Sequence, residues 1–218
     1  GLADRVGLQS VQFGTACSLL NADGGRLRDD SVVAVWAEES ATNTDADGTG
    51  DAVDYGEHAD VPLLAIDGNV VAVGSLLVDD DTLQYNADRE NEELLLNVWD
   101  AKLGGSGTVL WDETHNEFNG LDGFSTFAGY ASENGYDVRS TADVASDLGE
   151  ADAVVIPSTT ESYADGELDA LASFVDDGGT VLLHDRADYQ DDDATSDLNA
   201  VASALDAPFR FNDDQVVD

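Results

Sequence analysis

From residue 107 onward the chain alternates short apolar runs with amphipathic stretches punctuated by glycine or proline, and this rhythm restricts the fold more than any single motif. The spacing predicts strands over 108–111, 136–139, 153–156 and 180–184, the third stopped by Pro157. Between them, Leu121, Phe124, Phe127, Ala128 and Ala131 fall at helical spacing within 121–134, ahead of Gly135. A short helix fits 142–148, and Leu168, Leu171, Ala172 and Val175 share one face of 164–177, which Gly178-Gly179 terminates. A helix over 195–205 and a brief strand over 209–211 follow. Parallel strands joined by crossover helices produce this pattern, so the expected class is α/β, a parallel sheet sandwiched by helices.

The first hundred residues read differently. Strand-like runs cover 6–13, 16–20, 32–37, 61–66 and 69–74, with Asp67-Gly68-Asn69 suited to a hairpin turn. A helix over 88–103 then leads through Gly104-Gly105-Ser106-Gly107 into the α/β part, and 43–60 is one long acidic, glycine-rich loop. The expected organisation is a β-rich segment plus closing helix, 1–103, joined to an α/β segment, 104–218, with both contributing to one domain. No internal repeat is evident.

Charge decides which partners are excluded. Against 47 Asp plus Glu stand 8 Lys plus Arg, a formal net charge of −39, with 35 of the acids being Asp and one Lys in the whole chain. Nucleic-acid binding depends on cations that displace phosphate counterions, and an anionic membrane surface would repel the chain, so neither partner is expected. A hydrophobic fraction of 42% nonetheless suffices for a core. No apolar run approaches the roughly 18 residues that span a bilayer, so membrane insertion is not expected. Such a charge self-repels unless salt screens it over a few ångströms, as at molar ionic strength, and the composition resembles that of extremely halophilic archaea. Met is absent and the single Cys17 has no intrachain partner; an excised or processed segment is expected.

The second half also resembles a family with a class I glutamine-amidotransferase-like, flavodoxin-like fold. Its relatives include auxiliary domains of gliding-motility ABC transporters, the N-terminal part of an intraflagellar-transport protein, and haloarchaeal domains of unknown function. The resemblance rests on Val109-Leu110-Trp111-Asp112-Glu113 with His115, on 153–156, on 165–171 with Phe174-Val175-Asp176-Asp177-Gly178-Gly179-Thr180, and on the tail 209–215. In that family the domain closes with a strand, an acidic turn and a helix rich in Asn and Leu. Similar features here, 68–75, 79–81 and 91–99, precede the opening strand instead of following the tail. The resemblance therefore implies a circular permutation, or the junction of two tandem copies, with the Asn/Leu helix packed beside the sheet containing Val109. The family's enzymes carry a nucleophilic Cys at the turn after the strand equivalent to 180–183; this chain reads Leu183-His184-Asp185-Arg186 there, so glutaminase activity is not expected.

Open α/β sheets bind ligands at the carboxyl ends of their strands. Three polar clusters fall there: Asp112, Glu113 and His115; Ser158, Thr159 and Glu161; and His184 with Asp185. Convergence of Asp112, His115, His184 and Asp185 would suit zinc or manganese and a metal-dependent hydrolase. Ser158 follows Pro157 without the Gly-x-Ser-x-Gly context of an exposed nucleophile, and Cys17 reads as a core residue. A separate signal is the loop 43–54. Asn43, Asp45, Asp47, Asp51 and Asp54 occupy the oxygen-ligand positions of a calcium loop, with the Thr49 carbonyl and Gly48 correctly placed. Asp54 stands where the longer bidentate Glu is usual, and a solvated acidic loop is the alternative. Trp36, Trp99 and Trp111 are expected in the core.

The function expected from these features is a non-catalytic binding or assembly module of a secreted or cell-surface halophilic protein. Its partner would be another protein, a small molecule or further copies of itself. A metal-dependent hydrolase is the alternative; calcium is the expected cofactor, and no nucleotide is expected.

Overall fold

A computed structural model describes residues 8–57, 59–85, 89–116, 118–187 and 195–218. At its centre five strands run parallel: β5 (Val70–Val73), β9 (Thr180–His184), β8 (Ala153–Pro157), β6 (Gly107–Asp112) and β7 (Tyr136–Thr141), in that spatial order. On the β5 side the sheet continues antiparallel through β4 (Pro62–Asp67) to β2 (Val33–Trp36), making seven strands. Every residue of β8 and β9 is buried, as a parallel strand covered on both faces must be.

Alternation along these strands sends side chains to two separate cores. Leu110, Val154, Ile156, Val181 and Leu183 face α4 (Val144–Asp147), α5 (Asp165–Asp176) and α6 (Thr195–Ala204). Val109, Trp111, Val155, Leu182, Val71 and Val73 face α2 (Asn91–Leu103) and α3 (Ser125–Glu133). Trp99 of α2 is fully buried, edge-on to Phe127 at 5.0 Å and to Tyr136 at 5.3 Å. Trp111 is buried as well, and Trp36 packs partly buried on the opposite core.

Counted from β6, the parallel strands lie in the order 2-1-3-4, and the fifth position is taken by β5 from the first half of the chain. The two sequence segments are thus interleaved: β5 pairs with β9, β1 (Leu19–Asn21) with β10 (Phe209–Phe211), and β3 (Thr42–Thr44) with β11 (Gln215–Val217). Backbone contact is close at this seam. A Cβ on Gly74 would lie 2.1 Å from the Cys17 carbonyl oxygen, and the Cys17 amide donates to Gly74 O at 2.9 Å. Asp214, fully buried, accepts from the Ser18 amide (2.7 Å) and hydroxyl (2.6 Å), Asn43 Nδ2 (2.6 Å) and Asn212 Nδ2 (2.8 Å), tying both ends of the chain to the start of the acidic loop.

Several boundaries differ from expectation. The predicted strand 6–13 is not a strand over 8–13; its first two residues lie outside the described ones. The Ser10 and Gln12 amides donate to Glu90 Oε2 (3.0 Å) and Asn91 Oδ1 (2.9 Å), so side chains at the start of α2 satisfy this segment in place of a strand partner. The closing helix begins at Asn91, and the expected start at Asp88 lies outside the described residues. Helix α1 (Asp80–Tyr85) and strands β3 and β11 were not predicted.

Candidate functional site

The carboxyl ends of β6 and β8 form the crevice where a sheet of this order would hold a ligand. Here the chain fills it. Asp112, the last residue of β6, accepts from the Thr114 amide (2.9 Å), from the Tyr163 hydroxyl, and contacts His115 Nδ1 at 2.8 Å. Nε2 of His115 meets Glu167 Oε2, in the first turn of α5, at 3.3 Å, and the imidazole stacks on Tyr163 with centroids 3.6 Å apart. Burial pushes the imidazole pKa down, but the two carboxylates outweigh it and hold His115 above its ordinary value. Burial likewise raises Asp112, and its bonds to His115 and Tyr163 outweigh that and lower it. The result is a largely buried, hydrogen-bonded tie between the sheet and α5.

The backbone closes the same crevice. His115 O accepts from the Thr160 (2.9 Å) and Glu161 (3.2 Å) amides. Asn116 Nδ2 donates to Ser158 O, and Asn119 Nδ2 to the same oxygen at 3.3 Å. Glu113 turns away to accept from the Leu121 amide at 2.8 Å, and Glu161 is exposed. The hydroxyls of Ser158 and Thr159 are buried without a hydrogen-bond partner. Nε2 of His115 is turned to Glu167, and Ser158 Oγ is not hydrogen-bonded to it.

His184 and Asp185 occupy the end of β9. The His184 ring is 1% exposed, neither nitrogen is hydrogen-bonded, and burial lowers its pKa to about 4, the neighbouring backbone of Ser75 and Leu76 offsetting this only in part. Asp185 accepts from Thr195 Oγ1 at 3.2 Å and from the Arg186 amide at 2.9 Å. Cys17 is fully buried; burial, then the charges of Asp185 and Asp214, push its thiol well up, which suits a core residue and not a nucleophile. The convergence of Asp112, His115, His184 and Asp185 that the alternative, a metal-dependent hydrolase, would require is not found. Among the described residues one group alone brings three such ligand atoms within 4.8 Å of one another, and it contains none of the four.

That group is Asp45, Asp47 and Asp51, close enough to share one cation. Asp45 accepts from the Gly48 and Gly50 amides, both at 2.9 Å, and Thr49 Oγ1 bridges Asp47 (3.0 Å) and Asp51 (2.7 Å). The two outer positions of the predicted loop are engaged elsewhere. Asn43 spends its amide on Val53 O and Asp214 and its oxygen on the Tyr55 amide, while Asp54 accepts from the Gly56 amide.

Asn116, Asn119, Tyr163 and Glu167 were missed by the sequence reading. No local pattern marks them, since each acts across the crevice on a residue 39 to 52 positions away.

No family model matches the chain, and no curated protein matches it. Two solved structures are similar: the IMPa metallopeptidase from Pseudomonas aeruginosa (TM-score 0.54, 11% identity) and the same protein in complex with an O-glycopeptide (TM-score 0.53, 10% identity). Each match covers 97% of this chain and 21% of the other, so this chain corresponds to about one-fifth of that protein. At this identity the likeness concerns the fold: a mixed α/β domain with a mostly parallel central sheet flanked by helices. None of the three histidines here is followed by Glu, so the H-E-x-x-H zinc-peptidase motif is absent from the sequence.

Proposed function

We infer that this chain is a non-catalytic binding or assembly domain of a larger halophilic protein that works outside the cell or at its surface. The observation that carries the reading is the self-closed crevice: the imidazole, amides and carboxylates that would meet a substrate are engaged with one another across β6, β8 and α5. The strand order 2-1-3-4 completed by β5 supports an amidotransferase-like, flavodoxin-like fold in permuted order, and a turn after β9 without a thiol supports loss of that family's chemistry. The acidic loop is read as a calcium site built on Asp45, Asp47 and Asp51, which stiffens the segment between β3 and Tyr55.

A second reading, a metal-dependent hydrolase, draws on the fold shared with a metallopeptidase. One experiment separates the two. Protein purified in molar KCl is analysed for bound metal by mass spectrometry and for peptide and ester hydrolysis, alongside His115→Ala. The binding-domain reading expects no stoichiometric zinc or manganese and no hydrolysis above background. Stoichiometric metal, with hydrolysis abolished by a chelator and by His115→Ala, would establish the hydrolase.

A further inference from the structure

The seven-stranded sheet ends in two edges of different character. At β2 the pairing with β4 is broken by two register shifts, an irregularity that blunts an edge against further pairing. At the other edge β7 keeps unbroken register with β6 over all 6 of its residues, from Gly107↔Tyr136 to Asp112↔Thr141. The phase of that ladder is fixed as well. The Glu113 amide donates to Thr141 O at 2.9 Å, so in the alternation of a parallel pair Asp137, Arg139 and Thr141 turn their backbone groups to β6. Val138 and Ser140 turn theirs outward, where no strand among the described residues pairs with them.

Charge on this edge is arranged in a pattern that complements itself when reversed. Asp137 and Arg139 stand on one face, either side of Val138, and both side chains are more than half exposed. Their ion pair sets Nε (2.9 Å) and Nη2 of Arg139 on the single oxygen Oδ2 of Asp137; Nη1 of the arginine and Oδ1 of the aspartate take no part in it. The charge of Glu150 also acts on the guanidinium, more weakly than Asp137. Charges on an edge strand ordinarily prevent pairing, and a run of one sign would do so here, where each copy carries −39. Asp-x-Arg is different, because in an antiparallel pair of two such strands each aspartate faces an arginine.

We propose that two copies of this chain pair antiparallel through β7, about a two-fold axis that passes through Val138 normal to the sheet, joining the two sheets into one. The outward amide and carbonyl of each Val138 bond those of the other copy, and Asp137 and Arg139 fall opposite Arg139 and Asp137 of that copy. These are non-hydrogen-bonded positions, where Cα atoms approach to about 4.5 Å and side chains meet most closely. Moving the axis to Asp137 or to Arg139 puts like charges opposite, so the charges select this register. Molar salt screens the long-range repulsion between copies while the contact pairs persist, so association strengthens from low salt to molar salt. The inference rests on the assembly-domain reading; its failure would remove this interface and leave untouched the metal and hydrolysis measurements that decide that reading.

The test is sedimentation velocity in molar KCl over a concentration series reaching millimolar, with folding checked by circular dichroism. Wild type is expected to show a monomer–dimer equilibrium. Asp137→Arg and Arg139→Asp each place like charges opposite at both contacts, and each alone should dimerise about 10-fold more weakly. Mixed in equal amounts, the two variants should recover the dimer, because the two arginines of one then face the two aspartates of the other. Neither variant keeps the ion pair within the strand, so this recovery reads the contact between copies alone. Val138→Pro removes an outward amide without touching the β6 ladder and should abolish the dimer. A wild type monomeric throughout, a charge-reversed variant dimerising as tightly as wild type, a folded Val138→Pro variant that still dimerises, or a mixture without dimer would each overturn the proposal.

Discussion

Acid should destabilise this protein through His184, by an amount that follows from its burial. The free imidazole pKa of 6.5 falls to about 4 in the folded chain because burial strips water from the charged form, the backbone at Leu76 and Ser75 restoring only part of the loss. Between those values the unfolded chain binds a proton that the folded chain refuses. Stability from this group is therefore complete above pH 6.5, declines as pH falls through the window, and levels off below about pH 4. The linkage relation gives a loss of about 2 kcal/mol at pH 5 and about 3 kcal/mol at full protonation. The assay is urea unfolding in molar KCl, followed by the fluorescence of buried Trp99 and Trp111, for wild type and His184→Leu from pH 7.5 down to 5. The remaining carboxylates titrate in both proteins and cancel in the difference. Wild type should lose about 2 kcal/mol relative to the variant over that range. A difference that stays flat with pH, or that grows in favour of wild type, would refute the account and mean that a backbone carbonyl of Ser75 or Leu76 bonds the ring in solution.

His115 should show the opposite sign. Its folded pKa is raised, so its stabilising tie to Asp112 and Glu167 is present below pH 6.5 and is lost as pH rises through the folded value; His115→Gln should narrow its deficit against wild type in alkaline solution, measured by thermal unfolding. Asp214→Ala should cost about 3 kcal/mol, because four buried donors lose their acceptor together, and urea midpoints read this directly. A double Asp47→Asn, Asp51→Asn variant should abolish sensitised terbium emission and the thermal shift produced by calcium while leaving the calcium-free melting temperature within a few degrees. Gly74→Ala should prevent folding at ordinary temperature, since its Cβ would have to displace backbone, not a side chain; circular dichroism tests it.

Much of the α/β half was legible because its determinants are local. The run 153–156 and the centre of 180–184 are apolar and end at Pro157 or follow Gly178-Gly179, and the helix between them keeps its apolar residues on one face. The first half was less legible. Residues 8–13 have strand-like composition, yet α2's polar side chains satisfy their amides before any strand can. The candidate site divides similarly: Asp112 and His115 stood out as polar residues beyond an apolar strand, whereas their electrostatic setting depends on Tyr163 and Glu167, which only the docking of α5 supplies.

Sequence alone therefore determined the class of fold, the strongly acidic charge, and the loop in which three aspartates gather. These follow from periodicity, composition and short spacings, which act within a few residues. Tertiary structure decided that β5 completes a sheet begun 34 residues later by β6, that Asp214 joins both ends of the chain, and that the strand-end crevice is closed by its own side chains. Each of these is a pairing between distant segments, and a hydrogen bond or a packed surface has no signature in either segment until the other is in place.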